Sequence, residues 1–295
     1  MTLHAIPDDD PETFQMLSDG RTCGVFQMES AGMTGVCVGL RPQDIEDITA
    51  IIALYRPGPM ESIPRFISSK HNPDSVSYKH PSLVPILSNT YGCIVYQEQV
   101  IEIFRRLAGY SLGQADMVRR AMSKKKMKDI QREREAFLHG DPDRGIAGCI
   151  SQRHPGGRGG EPSMTRSTAF ANYAFNKAHA VCYAIVAYQT AWFKCHYPRE
   201  YMAALLTSVL DSSEKVAEYI AECREPAASS LLPPDINESE CRLHCGRAGH
   251  PLRPGGPEGG GPRLSSTRLL ARARRQSGPF TSFPDFCQRM LGPRT

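Results

Sequence analysis

A mainly α-helical fold is what the sequence predicts. Three observations point there: apolar residues recur at helical spacing from Pro11 to His139, the same pattern returns from Ala169 to Asn237, and capping or breaking residues bracket the runs. Near the start, Asp8, Asp9, Asp10 and Glu12 form an acidic cluster. Consecutive carboxylates point apart in helix and strand alike, so this run is read as a turn capping a helix that begins near Glu12, and no metal site is assigned. Pro42 suits a first helical position, Ile45, Ile48, Ile51, Ile52 and Tyr55 follow at helical spacing, and Pro57-Gly58-Pro59 ends the run, which holds Arg56 at a rigid exit.

Residues 66–89 have little periodicity and several prolines, and are expected to be a loop with short helical pieces. Tyr91 to Tyr96 has a β-branched centre and could start as a strand. Val100, Ile101, Phe104 and Leu107 place a helix over Gln97–Ala108, with Gly109 as its C-cap. Ser111 and Gln114 form an S-x-x-Q capping box that opens the next helix at Leu112. That helix leads into Met117–Lys128, whose cations Arg119, Arg120, Lys124, Lys125, Lys126 and Lys128 have no acid among them; Arg120 and Lys124 fall on one face. Two readings stand at this point, a phosphate-binding surface and a solvated helix end that complements the dipole.

Further on, Asn176 or an earlier residue opens a long apolar helix through Phe193, Pro198 begins another through Val209, and Ser212 or Ser213 caps a third that reaches Arg224. Phe175-Asn176-Lys177-Ala178-His179 puts an amide, an ammonium and an imidazole at an opening turn, where free N–H groups and the dipole favour an anion. An Asn cap followed by a solvated Lys is the plainer alternative. Residues 151–168 and 241–277 are rich in Gly, Pro and Arg, and from Ser151 to Thr168 and Cys241 to Gln276 they hold no Lys. They read as irregular segments, either disordered linkers or the product of a GC-rich gene read out of frame.

The chain has 295 residues, enough for one large core or two ordinary ones, and its 40% hydrophobic and 22% charged content describes a soluble globular protein. The longest apolar run is broken by Tyr188, Gln189 and Thr190 and the N-terminus lacks a signal-peptide pattern, so a cytoplasmic location without membrane contact is expected. Cysteines such as Cys93, Cys182 and Cys195 are expected to be reduced. Cys241, Cys245 and His250 match no common zinc spacing, and no metal ligand is assigned there. A net charge of +4 does not by itself prove a nucleic-acid partner.

Several stretches taken together resemble one family. Gly24-Val25-Phe26-Gln27-Met28-Glu29-Ser30, Ala53-Leu54-Tyr55-Arg56-Pro57-Gly58-Pro59, Tyr96-Gln97-Glu98-Gln99-Val100, Ala108-Gly109-Tyr110-Ser111-Leu112-Gly113 and Arg119-Arg120-Ala121-Met122 are similar, in the same order, to the bacterial replicative DNA polymerase III alpha subunits, the C-family polymerases. Phe175–His179, Ala187–Trp192 and Leu232–Asn237 extend the likeness. The resemblance implies a helical fingers domain, divided as residues 1–20 at the end of the palm, 21–150 and 169–240 as two parts of the fingers, and 278–295 at the start of a helix-hairpin-helix region. The irregular segments 151–168 and 241–277 interrupt that division.

It further implies that Arg119, Arg120, Lys124, Lys125 and Arg56, with Asn176, Lys177 and His179, meet the triphosphate of a deoxynucleotide or nearby DNA phosphates. The implied parent is a DNA-directed DNA polymerase that uses Mg²⁺, primer–template DNA, deoxynucleoside triphosphates and other replicase subunits. The family's catalytic aspartates would precede Met1, so catalytic residues and Mg²⁺ ligands are not expected in this chain, which is expected to be inactive alone. A non-catalytic basic nucleic-acid-binding module, and a truncated product without function, are the alternatives.

Overall fold

The computed structural model describes residues 2–78, 80–123, 127–150, 174–224, 235–237, 244–245, 252–253 and 262–291. It is mainly helical and divides into two compact units, Met1–Arg21 with Ser30–Tyr188, and Thr22–Glu29 with Gln189–Thr295.

In the first unit, α1 (Pro11–Ser18) is capped by Asp10, whose carboxylate accepts from the Thr13 N–H at 2.9 Å. The acidic run therefore works as a helix start. After α2 (Ala31–Leu40), α3 (Ile45–Leu54) begins later than Pro42 suggested. Proline fixes φ but offers no acceptor, whereas Asp44 accepts from the Asp47 N–H at 2.8 Å and sets the boundary. Ile48 and Ile51 are fully buried along this helix. The loop expected over 66–89 opens instead inside a helix, α4 (Ile63–His71), because Pro64 fits its first turn and Ile63 and Phe66 bury one face. Short helical pieces, including α5 (Val84–Leu87), follow.

The strand expected at Tyr91–Tyr96 is reduced to one parallel bridge, Tyr96 to Phe175. Among the described residues that bridge is its pairing, and a lone bridge does not make a ladder. α6 (Gln97–Ala108) ends on Gly109, whose φ of 77° takes the left-handed C-cap that glycine tolerates. α7 (Leu112–Ser123) starts with the reciprocal box: the Gln114 side chain accepts from the Ser111 N–H at 2.8 Å, and Ser111 Oγ accepts from the Gln114 N–H at 3.3 Å. α8 (Met127–His139) packs back on α6, with Phe104 edge-on to Phe137 at 4.9 Å and to Tyr110 at 5.2 Å between ring centroids.

A tight turn then places Arg144. Asp141 and Ile146 pair across it, and Gly140 and Gly148 approach so closely that a Cβ on Gly148 would lie 2.3 Å from the Gly140 nitrogen. The long helix α9 (Lys177–His196) completes this unit up to Tyr188.

In the second unit, α10 (Pro198–Ser208) and α11 (Ser213–Glu222) have the predicted starts, at Pro198 and behind the Ser212 cap. They hold the segment Thr22–Glu29: Lys194 Nζ donates to the Cys23 carbonyl at 2.8 Å and Glu222 at 2.6 Å, Tyr201 donates to the Gly24 carbonyl at 2.7 Å, and Tyr219 donates to Glu29 at 2.8 Å. The stretch 151–168 lies outside the described residues. Within 241–277, His244–Cys245 (β1) and Leu252–Arg253 (β2) pair antiparallel. Pro262–Ser277 forms α12, so this stretch is not irregular throughout. A proline at its opening and a run rich in Leu, Ala and Arg support a helix there despite weak apolar periodicity. α13 is Phe283–Leu291. Asn237 joins its approach by two hydrogen bonds with the Phe280 backbone, at 2.7 and 2.8 Å.

Cys93, Cys182 and Cys195 are free thiols. Among the described residues no helix is long and apolar enough to cross a membrane.

Candidate phosphate-binding site

The chain brings together residues from four places around the Tyr96–Phe175 bridge. The Gln97 N–H donates to the Phe175 carbonyl at 2.9 Å, and the Phe175 N–H donates to the Val95 carbonyl at 3.0 Å. This sets the first turns of α6 and α9 beside one another, with the positive ends of both helices close together.

Each residue of Tyr96-Gln97-Glu98-Gln99 has a separate part in the junction. Gln99, buried, accepts from the Val95 and Tyr96 N–H groups at 2.8 and 3.0 Å and donates to Thr90 at 2.8 Å, which fixes the turn before α6. Gln97 donates to the Ala174 carbonyl at 3.1 Å and accepts from Arg119 Nη1 at 2.9 Å. Glu98 accepts from the Lys177 backbone N–H at 3.1 and 3.2 Å, one on each oxygen. Tyr96 is buried and its ring lies beneath the Lys177 ammonium, 5.4 Å from it.

The cations singled out in the sequence sit on this frame in different ways. Arg119 joins it through Gln97 and also binds Asp116, with its Nε 2.9 Å from the carboxylate. Arg120 binds the other oxygen of Asp116 at 2.8 Å, and its side chain is 67% exposed. Partial burial works against ionisation of Asp116, but hydrogen bonds and charge from Arg119 and Arg120 outweigh it and hold the carboxyl below its usual range. Lys177 pairs with Glu46 at 2.9 Å. Arg56, at the exit of α3, lays its guanidinium over the Phe175 ring at 4.7 Å, and burial lowers its pKa from the ordinary value. Asn176 is the cap of α9, accepting from the His179 N–H at 2.8 Å. Lys124 and Lys125 lie outside the described residues.

Asp116 and Glu98 do not suit a two-metal centre by sequence, and neither is assigned to the phosphate site there. Asp116 stands three and four residues before the two arginines, which is the spacing of helical ion pairs and could have been noticed. Glu98 meets Lys177 across 79 positions, and local pattern carries no trace of that contact. Beside α7 a cavity of about 270 Å³ is lined by Arg120, Arg132 and Arg144 with Gln114, Asp129 and Glu133 among other residues.

The family model for the bacterial DNA polymerase III alpha subunit finger domain matches residues 1–145. Over those residues the chain is similar to this finger-domain family. The match extends further along curated relatives named DNA polymerase III subunit alpha. The chain is 43% identical over 290 residues to that of Thermus aquaticus, covering 97% of this chain and 23% of the relative. It is 42% identical over 288 residues to that of Staphylococcus epidermidis, covering 98% and 26%, and 43% identical over 284 residues to that of Chlamydia trachomatis, covering 96% and 22%. The chain thus spans about a quarter of the length of the alpha subunits it matches. Arg56, Glu98, Asp116, Arg119 and Arg120 lie inside the finger-family span; Asn176, Lys177 and His179 lie beyond residue 145.

Proposed function

We propose that this chain is the part of a replicative DNA polymerase that holds the triphosphate of an incoming deoxynucleotide and adjoining DNA phosphates. The observation that carries the reading is the Tyr96–Phe175 junction, where Arg56, Arg119 and Lys177, far apart in sequence, share one frame with two helix starts. Arginine forks and a lysine ammonium match phosphate oxygens, and the helix starts add oriented N–H groups. Asp116, Glu46 and Glu98 engage these donors, so an anion enters by exchange with carboxylates. Arg120, Asn176 and His179 belong to the same group, and Lys124 and Lys125 join it on the resemblance alone.

The parent enzyme would use Mg²⁺, primer–template DNA, deoxynucleoside triphosphates and other replicase subunits, in the cytoplasm. The carboxylates closest to these cations do not fit a divalent metal: Asp116 is committed to two arginines, Glu46 to the Lys177 ammonium and Glu98 to the start of α9. The role of this chain is therefore to offset phosphate charge and fix the nucleotide, with nucleotidyl transfer left to groups elsewhere in the parent.

Binding of the full chain to primer–template DNA, with and without the templated deoxynucleoside triphosphate, tests the proposal. The expected result is tighter DNA binding with the matched nucleotide and no primer extension in Mg²⁺. Salt-sensitive DNA binding indifferent to the nucleotide would mean a general basic module instead. Measurable extension would mean a metal centre within this chain.

A further inference from the structure

In the second unit, the segment from Thr22 to Met28 carries no charged residue, and Phe26 and Gln27 are its exposed positions. Val25 and Met28, on either side of that pair, are fully buried. The Met28 N–H donates to the Val25 carbonyl at 3.0 Å and closes a four-residue turn, whose third residue, Gln27, has a φ of 64°. Glycine suits that conformation, and a glutamine there is strained. The base of the turn is held from several sides. The Phe26 N–H donates to the Thr190 hydroxyl at 3.1 Å, Lys194 and Tyr201 hold the carbonyls of Cys23 and Gly24, and Lys215 and Tyr219 hold the Glu29 carboxylate. Among the described residues the exposed Gln27 amide has no hydrogen-bond partner. A fixed base that keeps a ring and an amide outward on strained backbone has the form of a contact tip.

We propose that this tip touches the minor groove of the primer–template duplex, with the Gln27 amide donating to purine N3 and the Phe26 ring lying against the sugars. The inference rests on the reading of DNA as a ligand of this chain and extends it from phosphates to base pairs. The chemistry of the tip selects base edges over the backbone. Phosphate contacts draw chiefly on cations, and Thr22 to Met28 has none. Glutamine amides and phenylalanine rings are both side chains that minor grooves accept. The groove is selected in turn by what an amide can read there. In the major groove the pattern of donors and acceptors changes with every pair, whereas the minor groove offers an acceptor in each of them. One glutamine therefore makes the same hydrogen bond on any sequence. That suits a chain that must take every template.

The test measures binding of the full chain, at fixed salt, to three labelled primer–template duplexes of equal length and charge: one unmodified, one with 3-deazapurines and one with 7-deazapurines throughout. The 3-deaza duplex lacks the minor-groove acceptor and is expected to bind about threefold or more weakly than the unmodified one, while the 7-deaza duplex, altered only in the major groove, matches it. Gln27→Ala is expected to lower affinity for the unmodified duplex to the 3-deaza level, to abolish discrimination between the two, and to leave tripolyphosphate binding unchanged. Gln27→Gly should behave alike while melting no lower than the parent chain, because glycine relieves the φ; it keeps the test decisive even if alanine loosens the turn. Equal binding of the unmodified and 3-deaza duplexes, or discrimination that survives both variants, overturns the proposal and leaves the phosphate reading standing. So does binding of tripolyphosphate without binding of any duplex. If neither duplex nor tripolyphosphate binds, the phosphate reading falls together with the proposal.

Discussion

Arg144 and Arg120 line the same cavity beside α7 and each pairs with a partly exposed aspartate, but Arg144 alone of the two also holds the buried Glu133. Arg144 grips Glu133 with two parallel bonds of 2.7 and 3.1 Å and gives its Nε to Asp141 at 2.6 Å, while Glu133, 5% exposed, also accepts from the Tyr110 hydroxyl at 3.1 Å. The hydrogen bonds that Arg144 donates to Glu133 raise its pKa, and burial pushes that of Tyr110 up. Among the described residues Arg120 pairs with Asp116, and most of its side chain is in water. A cation that holds a buried carboxylate fixes the chain; a cation paired only at the surface keeps donors that a ligand can take by exchange. The Lys70–Asp47 pair, 7 and 6% exposed, belongs with the first kind, and Lys177–Glu46, 33 and 50% exposed, with the second.

The largest way to break this contrast is Arg144→Ala. It leaves the buried Glu133 with Tyr110 and the mostly exposed Arg132, 3.2 Å away, and denaturant unfolding should show a loss of roughly 2–4 kcal/mol. A loss under about 1 kcal/mol would place Arg144 with the surface pairs. Next is Gly148→Ala, which adds a Cβ against the Gly140 backbone at a φ of 78°. It should cost about 1–3 kcal/mol by loosening the turn that presents Arg144. Arg120→Ala should change stability by no more than about 1 kcal/mol while weakening tripolyphosphate binding, which calorimetry on the same sample can separate.

The smallest effect is the acid response of the Asp116 pair. Its carboxyl pKa is depressed in the folded chain, so its contribution is fully present above the ordinary Asp value of about 3.9 and is lost as pH falls through the lower folded value. Asp116→Asn should flatten that part of the stability–pH curve below about pH 4 and leave the neutral range nearly level.

Much of the fold was legible because it is written locally. Ser111 with Gln114, Gly109, Pro198 and Ser212 each act within one turn of themselves, and each marks the boundary that its chemistry predicts. Pro42 misled because a favourable φ is a weaker start signal than the acceptor on Asp44 two residues later. The Tyr91–Tyr96 stretch has strand-like residues, yet strand length depends on partners, and the described partner is Phe175 alone. For the candidate site, the cations were visible as charge and the Asn176 cap as spacing. Their convergence was not, because it depends on Gln97, Glu98 and Arg56 reaching residues 174–177 across the fold. The difference between Arg144 and Arg120 was hidden for the same reason: sequence gives the charge of an arginine but not the burial of its carboxylate.

The central claim is that Arg119 and Lys177 act as a ligand-binding pair through their shared frame, beyond the charge they add. Titration calorimetry of a deoxynucleoside triphosphate into the full chain tests this when an Arg119→Ala/Lys177→Ala variant is set beside Arg105→Ala/Arg106→Ala. The control removes equal charge from the exposed face of α6, where both arginines pair with Glu102. The site variant should lose about tenfold or more in affinity and the control about twofold or less. Equal losses in the two variants would contradict the account and reduce the site to general positive charge.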